Sequence, residues 1–553
     1  MMVSKVMRID RSVPILIVGG GPCGLTLANL LGLYGTRAML VERNVSTVKE
    51  PRAVSIDDES LRTMQAVGLS DIVLGSAVPG YGSDYLMPDG RCFLTVEPKD
   101  QPFGYPRRNA FRQPNLESQL RSGLSRFPTI EALFGWTLES FAQDEQGVTA
   151  QLANPQGDVQ TVRCDYMVGC DGAGSGVRRN LGMVLQGKTF QERWLILDLE
   201  NSPAERRNTV VFCNSARPCI ALPGPDLTRR FEFKLHATER DDDMLRPEVV
   251  QELLRSHGAA DGSVLVRKVV YTFHARMAPR WCVGRVFLAG DAAHLTPPFA
   301  GQGLNSGIRD CANVGWKLAL VTAKEAPPQL LNTYEEERRE HVAQMIQLAL
   351  RMGRIMSPKS RIHGRVVQNT FLAISRWPKA KQFFAEMKYK PKPKFDAGFI
   401  QPDGLAKHLT LVGRMLGQPQ VETVDGRRVL LDDLLGSGFA MLGVGITGPK
   451  IRRLLEEMPI GRFAPTCVSV NPPSNAENDL ATLTVTALDW HQLDPYRGRV
   501  LFVRPDRYVA AAGTVDGPES VTQAVIKLLA RLSENKPLNA RKRSWLKEVL
   551  CQP

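Results

Sequence analysis

No stretch of the 553-residue chain approaches the roughly 18–20 uninterrupted apolar residues that span a bilayer. A membrane partner is therefore not expected. None of the ten cysteines forms Cys-x-x-Cys, and no Cys/His cluster has zinc spacing. Neither a dithiol redox centre nor a metal site is expected. The thiols read as reduced and mostly buried. Acidic residues fall short of basic ones, leaving a net charge of +13. Basic runs such as Lys388–Lys394 and Arg541–Lys547 stand outside any recognisable nucleic-acid motif. They read as solvated surface that can also draw in anionic substrates or NADPH, and a nucleic-acid partner is not expected. The apolar run after Lys5, Arg8 and Arg11 is short and broken by glycines, unlike a secretory signal. A cytoplasmic location follows as the default.

The chain is long enough for about three to four domains. Its organising stretch runs from Pro14 to Arg43. Ile15–Val18 is a short apolar run, as in a strand buried on both faces. Gly19, Gly21 and Gly24 then follow in G-x-G-x-x-G spacing. The first permits a sharp turn, the second lets a diphosphate approach the backbone, and the third lets a helix lie close on the strand. Leu25–Leu33 is the expected helix, its positive end toward the diphosphate. Ala38–Val41 is a second strand, and Glu42 ends it 18 positions after Gly24. A carboxylate there can accept hydrogen bonds from a ribose diol. Together these features predict a dinucleotide site.

Downstream, Arg52 follows the ribose-binding acid, and Ser60–Val67 reads as helix. Tyr85–Val96, with Pro88-Asp89-Gly90 at its centre, reads as a hairpin. Arg112 and Gln113 stand near the start of a helix over Leu116–Leu124. Strands are expected around Ile130–Leu133, Val148–Leu152 and Cys164–Cys170, the last running into the polar loop at Asp171-Gly172. From Trp194 to His274 four strand-like segments surround one clear helix, Pro247–Ser256, the pattern of a separate antiparallel sheet. The dinucleotide texture returns at Gly284–Ala289. That strand ends in Gly290-Asp291, with Gly301 and Gly303 just before a helix running to about Val321. Thr333–Ile355 reads as a long helix, and Pro391–Lys394 as an extended linker. Beyond it a further α/β region carries strands Phe439–Leu442, Cys467–Val470, Thr482–Thr486 and Arg499–Val503, with helices Lys450–Met458 and Val521–Ser533. It holds a second G-x-G-x-x-G, Gly443 to Gly448. The strand after its helix ends at Val470-Asn471 with no acid in the ribose position. This one reads as a tight turn without a nucleotide.

The first glycine motif with Glu42, the Asp171-Gly172 loop and the Gly290-Asp291 strand end together resemble a class A flavoprotein aromatic hydroxylase. The segments P-R-A-V-S-I-D-D-E-S-L-R-T-M, P-R-R-N-A-F, R-R-F-E-F and G-D-A-A-H…G-Q-G-L-N-S-G most resemble the 3-(3-hydroxyphenyl)propionate 2-hydroxylases. The resemblance implies an α/β and α+β multidomain fold. A discontinuous Rossmann-like FAD-binding domain would take residues 1–75, 105–185 and 275–360. A substrate-binding antiparallel sheet would take 76–104 and 186–274. A helical segment and linker would fill 361–404, and a thioredoxin-like domain without redox cysteines 405–553. One FAD is implied, with its diphosphate at Gly19, Gly21 and Gly24, its adenosine ribose at Glu42, and Arg43 near the adenosine. Arg112 and Gln113 would sit by the ribityl and phosphates, and Asp291 in the same region. Gly303, Leu304 and Asn305 would meet the pyrimidine edge. Asp171 would lie between the diphosphate and the NADH or NADPH route. Arg52, Pro298 and Phe299 would stand at the reacting face, Arg52 against a mobile isoalloxazine.

The implied reaction consumes NAD(P)H and O2 and hydroxylates a phenol ortho to its hydroxyl through a flavin C4a-hydroperoxide. The expected substrate is a small phenol carrying a carboxylate, and a homodimer is an expected assembly. Arg217, His236, Tyr271 and His274 are candidate substrate contacts, though each reads more readily as a structural polar residue. His294 reads as a packing or hydrogen-bonding residue. A flavin-dependent halogenase would show Trp-x-Trp, and none of the seven tryptophans forms it. The remaining alternatives are a hydroxylase for a different phenol or a polyketide aromatic, and a non-catalytic nucleotide-binding protein.

Overall fold

The computed structural model describes residues 10–533, apart from 49, 203–205, 260, 261, 359, 457–464, 474–481, 488 and 489. The basic run Arg541–Lys547 lies outside the described residues. Three large sheets organise the chain.

At the centre of the first sheet is Arg11–Val18, whose Ile15, Leu16 and Ile17 are fully buried. It runs parallel to Val159–Gly169 on one side and to Ala38–Glu42 on the other. Val286–Leu288 adds parallel beyond the first neighbour and Ile130–Phe134 beyond the second. Parallel strands apolar on both faces need helices over them. Pro22–Leu33 supplies one and packs along Gly303–Thr322, the helix expected near Leu304.

The second sheet spans Gln186–Glu200, Thr209–Phe212, Cys219–Pro223, Arg229–Lys234 and Val264–Met277, and the hairpin Ser83–Leu86 and Cys92–Val96 joins it. Strand alternation sorts its two faces. Leu195, Leu197, Phe231 and Phe233 point one way and are covered by Val250 and Leu254 of the Pro247–Arg255 helix. Trp194, Ile196, Val211, Ile220 and Tyr85 point the other way, toward Met345, Leu348 and Met352 of the long helix Thr333–Met356.

The third sheet has seven strands. Ala440–Val444, Thr466–Val470 and Leu483–Thr486 run parallel, and Val500–Val503 and Val509–Gly513 follow antiparallel, a thioredoxin-like arrangement. Its Cys467 is buried. Buried ion pairs fix this sheet to the rest: Arg62 to Asp432 at 2.6 Å, and Arg504 to Glu337 at 2.7 Å. Among the described residues no helix is long and apolar enough to cross a membrane.

Candidate functional site

Three neighbouring parallel strands of the first sheet end side by side, and each runs into a glycine turn. Such carboxyl ends are where open α/β sheets bind ligands. After Arg11–Val18, Gly19 takes φ +110° and lies so close to the next strand end that a Cβ there would stand 2.5 Å from the Cys170 carbonyl. A Cβ on Gly24 would stand 1.8 Å from the Gly19 carbonyl, so only glycine lets the helix close on the turn. A Cβ on Gly21 would meet nothing within 4 Å, because Gly21 faces an open cleft. No side chain caps the helix that starts there, so its first N–H groups remain available to an anion.

After Val159–Gly169 comes Asp171. One carboxylate oxygen accepts the Val177 N–H at 3.0 Å; the other is buried and, among the described residues, has no partner. After Val286–Leu288 comes the Gly290-Asp291 turn. Gly290 takes φ +61°, and a Cβ there would stand 2.6 Å from the sulfur of Cys23. Cys23 belongs to the first glycine turn, so the two turns, far apart in sequence, are in contact. Asp310 holds the second one: its carboxylate accepts the Gly290 N–H at 3.1 Å, lies 2.7 Å from His294 Nε2, and takes Arg338 at 2.9 Å. His294 is thereby engaged in hydrogen bonding, as its sequence context suggests. Asp291 itself opens into the cleft. Burial by the surrounding walls pushes its carboxyl up, against the pull of His294 and Arg52.

Glu42 lines the same cleft. It accepts the Gly20 N–H at 2.6 Å and the Asn44 N–H at 2.9 Å. Arg43, Arg52, Asp171, Pro298, Phe299, Gly303 and Leu304 also line it. Gln113 does too, fixed between the Ala53 N–H at 2.8 Å and Glu117 at 2.7 Å. Two expected contacts are engaged elsewhere. Arg112 pairs with Glu200 at 2.9 Å and is not among the lining residues. The Asn305 side chain is fully buried: it accepts from the Asp57 N–H and the Ser60 hydroxyl and donates to the Ser55 and Gly301 carbonyls. Asn305 fixes the helix start, leaving Gly303 and Leu304 to face the cleft. No side chain caps that 20-residue helix.

These features fit FAD. The unpartnered Asp171 oxygen, the open space at Gly21 and two uncapped helix N-termini on one cleft match a dinucleotide with a diphosphate and an electron-rich ring.

The cleft continues as a single cavity of about 600 Å³ onto the face of the second sheet. Ile220, Leu222, Leu348, Met352, Met356 and Phe299 make its apolar wall. The Phe299 ring is wedged between Trp194 and Phe273 at 5.5 and 5.7 Å between centroids. Polar groups also enter it, Arg108 and Glu232 among them. Arg108 stacks over the Tyr81 ring at 4.3 Å and donates to the Ser83 hydroxyl, with Tyr85 and Tyr389 beside it. Among the described residues no carboxylate pairs with it. Glu232 projects from the middle of the sheet.

Sequence reasoning passed over both. Their signal is strand alternation: Ser83 and Tyr85, like Arg230 and Glu232, alternate with residues of the opposite face. The four residues chosen instead lie off the cavity. Arg217 pairs with Glu239, His236 is exposed, Tyr271 is exposed beside Arg267, and His274 is near Thr189 at 3.2 Å.

Residues 12–349 match the FAD binding domain family, and residues 413–528 the HcaD C-terminal domain. The chain is 36% identical over 539 residues to the 3-(3-hydroxy-phenyl)propionate/3-hydroxycinnamic acid hydroxylase of Escherichia coli K12, covering 96% of both chains. Its fold is similar to the flavin-dependent monooxygenase PieE in complex with FAD and substrate, with TM-score 0.79, 22% identity, and 95% of this chain and 100% of that one covered. It is likewise similar to aklavinone-11 hydroxylase in a ternary complex with FAD and aklavinone, with TM-score 0.76, 23% identity, and 95% and 99% covered. With the three-turn cleft and its adjoining cavity, these matches establish that the chain belongs to the class A flavoprotein aromatic hydroxylases, FAD-dependent aromatic monooxygenases.

Proposed function

We propose that the enzyme consumes NAD(P)H and O2 to hydroxylate a small phenol ortho to its hydroxyl, and that the phenol carries a carboxylate, as 3-(3-hydroxyphenyl)propionate does. The observation that carries this reading is Arg108. Among the described residues, this guanidinium has no carboxylate partner, and it stands beside the tyrosines of a cavity that opens onto the cofactor cleft. Withdrawing an unpaired charge from water is costly, and an anionic substituent would relieve that cost through charge-assisted hydrogen bonds. The 36%-identical relative bears the name of such an aromatic acid.

When bound, FAD supplies hydride acceptance and oxygen activation, with one oxygen atom entering the ring and the other leaving as water. The chain supplies the rest. Gly19, Gly21 and Gly24 would hold the diphosphate and Glu42 the ribose, with Asp291 by the ribityl chain. The uncapped start of the Gly303–Thr322 helix stabilises negative charge at the ring's pyrimidine edge. Leu222, Leu348, Met352 and Phe299 exclude water from the aromatic substrate. Arg108 orients it by its acid group.

The test is NAD(P)H oxidation by the holoenzyme, with hydroxylated product and hydrogen peroxide both measured, for 3-(3-hydroxyphenyl)propionate and for 3-ethylphenol. The acid is expected to give product. Arg108→Gln should raise its KM about 10–100-fold, the value of a charge-assisted hydrogen bond, and leave 3-ethylphenol unchanged. Peroxide without product from every phenol would overturn the reading, and an equal effect on both phenols would remove Arg108 from it.

A further inference from the structure

Glu232 is a carboxyl with no evident structural task. The register of the second sheet sets it in a row with Ile196 on one neighbouring strand and Ile220 on the other. Ile220 in turn stands beside Val211, and Val211 beside Tyr85. The row faces the cavity, and Glu232 is its one carboxyl. It is 6% exposed, and among the described residues its carboxylate takes no hydrogen bond and no ion pair. A glutamine or a leucine would fill this space at lower cost than a buried carboxylate without a partner.

Its surroundings leave its proton free to come and go. Arg230, two positions away on the same face, is committed. It forks onto Asp198 at 2.7 and 3.1 Å, gives a hydrogen bond to the Arg52 carbonyl at 2.6 Å, and another to the Pro51 carbonyl. Arg267 also stands against Asp198, at 3.5 Å. Arg230 therefore ties the Glu232 strand to the loop that lines the cofactor cleft, without neutralising Glu232. Burial pushes the Glu232 carboxyl up to about 7; Arg230 draws it down and Asp198 pushes it further up. Arg52, Arg108 and Lys390 line other parts of the same cavity. Lys390 is engaged by Asp57 and Glu59, both at 3.0 Å.

The other groups there are poor proton acceptors. Burial raises Tyr85 and Tyr389, which keeps both hydroxyls protonated. Glu117 is held by Gln113 and the Val48 N–H. Glu42, Asp171 and Asp291 belong to the cofactor turns.

We propose that Glu232 is the catalytic base of the reaction, accepting the hydroxyl proton of the phenol bound in this cavity. The phenol O–H bond breaks, the proton passes to a carboxylate oxygen of Glu232, and the electron pair stays on the phenol oxygen. There it enriches the ring carbon ortho to it, where the new oxygen enters. A phenol unperturbed near pH 10 thus becomes reactive at neutral pH. This rests on the phenol-hydroxylase reading of the site.

The test uses FAD-loaded enzyme, with 3-(3-hydroxyphenyl)propionate and its non-phenolic analogue 3-phenylpropionate as probes. Both ligands are titrated into the oxidised enzyme between pH 5 and 9, following the flavin spectrum, and the pH profile of kcat is recorded. The wild type should tighten on the phenol and turn over faster as pH rises through about 7. Glu232→Gln should lose both changes, lower kcat about 10²–10⁴-fold, and bind 3-phenylpropionate as the wild type does. Glu232→Asp should restore part of kcat. An unchanged pH profile in Glu232→Gln overturns the proposal, as does loss of 3-phenylpropionate binding together with FAD, which marks a structural role. Failure of the wild type to hydroxylate the phenol would instead sink the reading beneath it.

Discussion

Two turns in this chain share one spelling, and only one makes a site. Gly19, Gly21 and Gly24 follow Arg11–Val18; Gly443 lies near the end of Ala440–Val444, and Gly445 and Gly448 follow it. Each lies between parallel strands and precedes a helix. At the first turn the middle glycine faces empty space, and the next strand ends in Glu42, aimed back at the turn. At the second, a Cβ on Gly443 would stand 2.4 Å from the Ile451 side chain, so the helix is packed down onto the strand, while a Cβ on its middle glycine, Gly445, would meet only the Asn471 carbonyl, at 3.9 Å; space at the middle glycine is shared, and the partner acid is not. The following strand, Thr466–Val470, runs into Asn471, which is committed to the Ala487 backbone at 2.9 and 2.8 Å. Glycine spacing thus reports a close strand–helix approach. A binding site also needs an opening, and here the opening is made by a third strand end, Gly290-Asp291, that the second turn lacks.

Breaking the joint between the two regions should have the largest effect. Glu337, on the long helix of the first region, accepts from Arg504 and Lys317 and from the Asn313 amide, all fully or almost fully buried. Glu337→Ala strands the buried Lys317, leaves Arg504 to Asp506 alone, and should cost about 3–5 kcal/mol in denaturant unfolding. Burial alone would raise this carboxyl, but Arg504 and Lys317 outweigh it and hold it at about 2. Its contribution is therefore full above the unfolded carboxylate range and lost as pH falls from about 4.5 toward 2. Gly21→Val should act on the ligand instead of the fold. It fills the open space and should weaken FAD binding about 100-fold, near 3 kcal/mol, with the apoprotein melting unchanged. Gly443→Ala should do the reverse, destabilising by about 1–3 kcal/mol through overpacking and leaving FAD affinity alone. A loss of FAD from Gly443→Ala would erase the contrast between the turns.

Local patterns made the cofactor half of the site legible. Buried apolar runs, turn glycines and the acid at Glu42 act over a few residues, so the sequence displays them directly. The helix starting at Gly303 and the hairpin around Pro88-Asp89-Gly90 follow the same logic. What stayed hidden depends on register between distant strands. The Cys219–Pro223 strand is short, starts right after Pro218, and was not expected, yet it puts Ile220 beside Glu232. Arg108 gains its meaning only when Tyr81, Ser83 and Tyr389 converge on it. Arg112 and Asn305 show the opposite failure, since polar residues beside a cofactor turn can be taken by neighbours such as Glu200 and Asp57.

The central claim is that two distant turns close around a single FAD although the chain spells the glycine motif twice. Titrating apoprotein with FAD, following quenching of its fluorescence, tests this most directly. One equivalent per chain, weakened by Gly21→Val and by Asp291→Ala, is the predicted result. Two equivalents, or a single one indifferent to both substitutions, would contradict it.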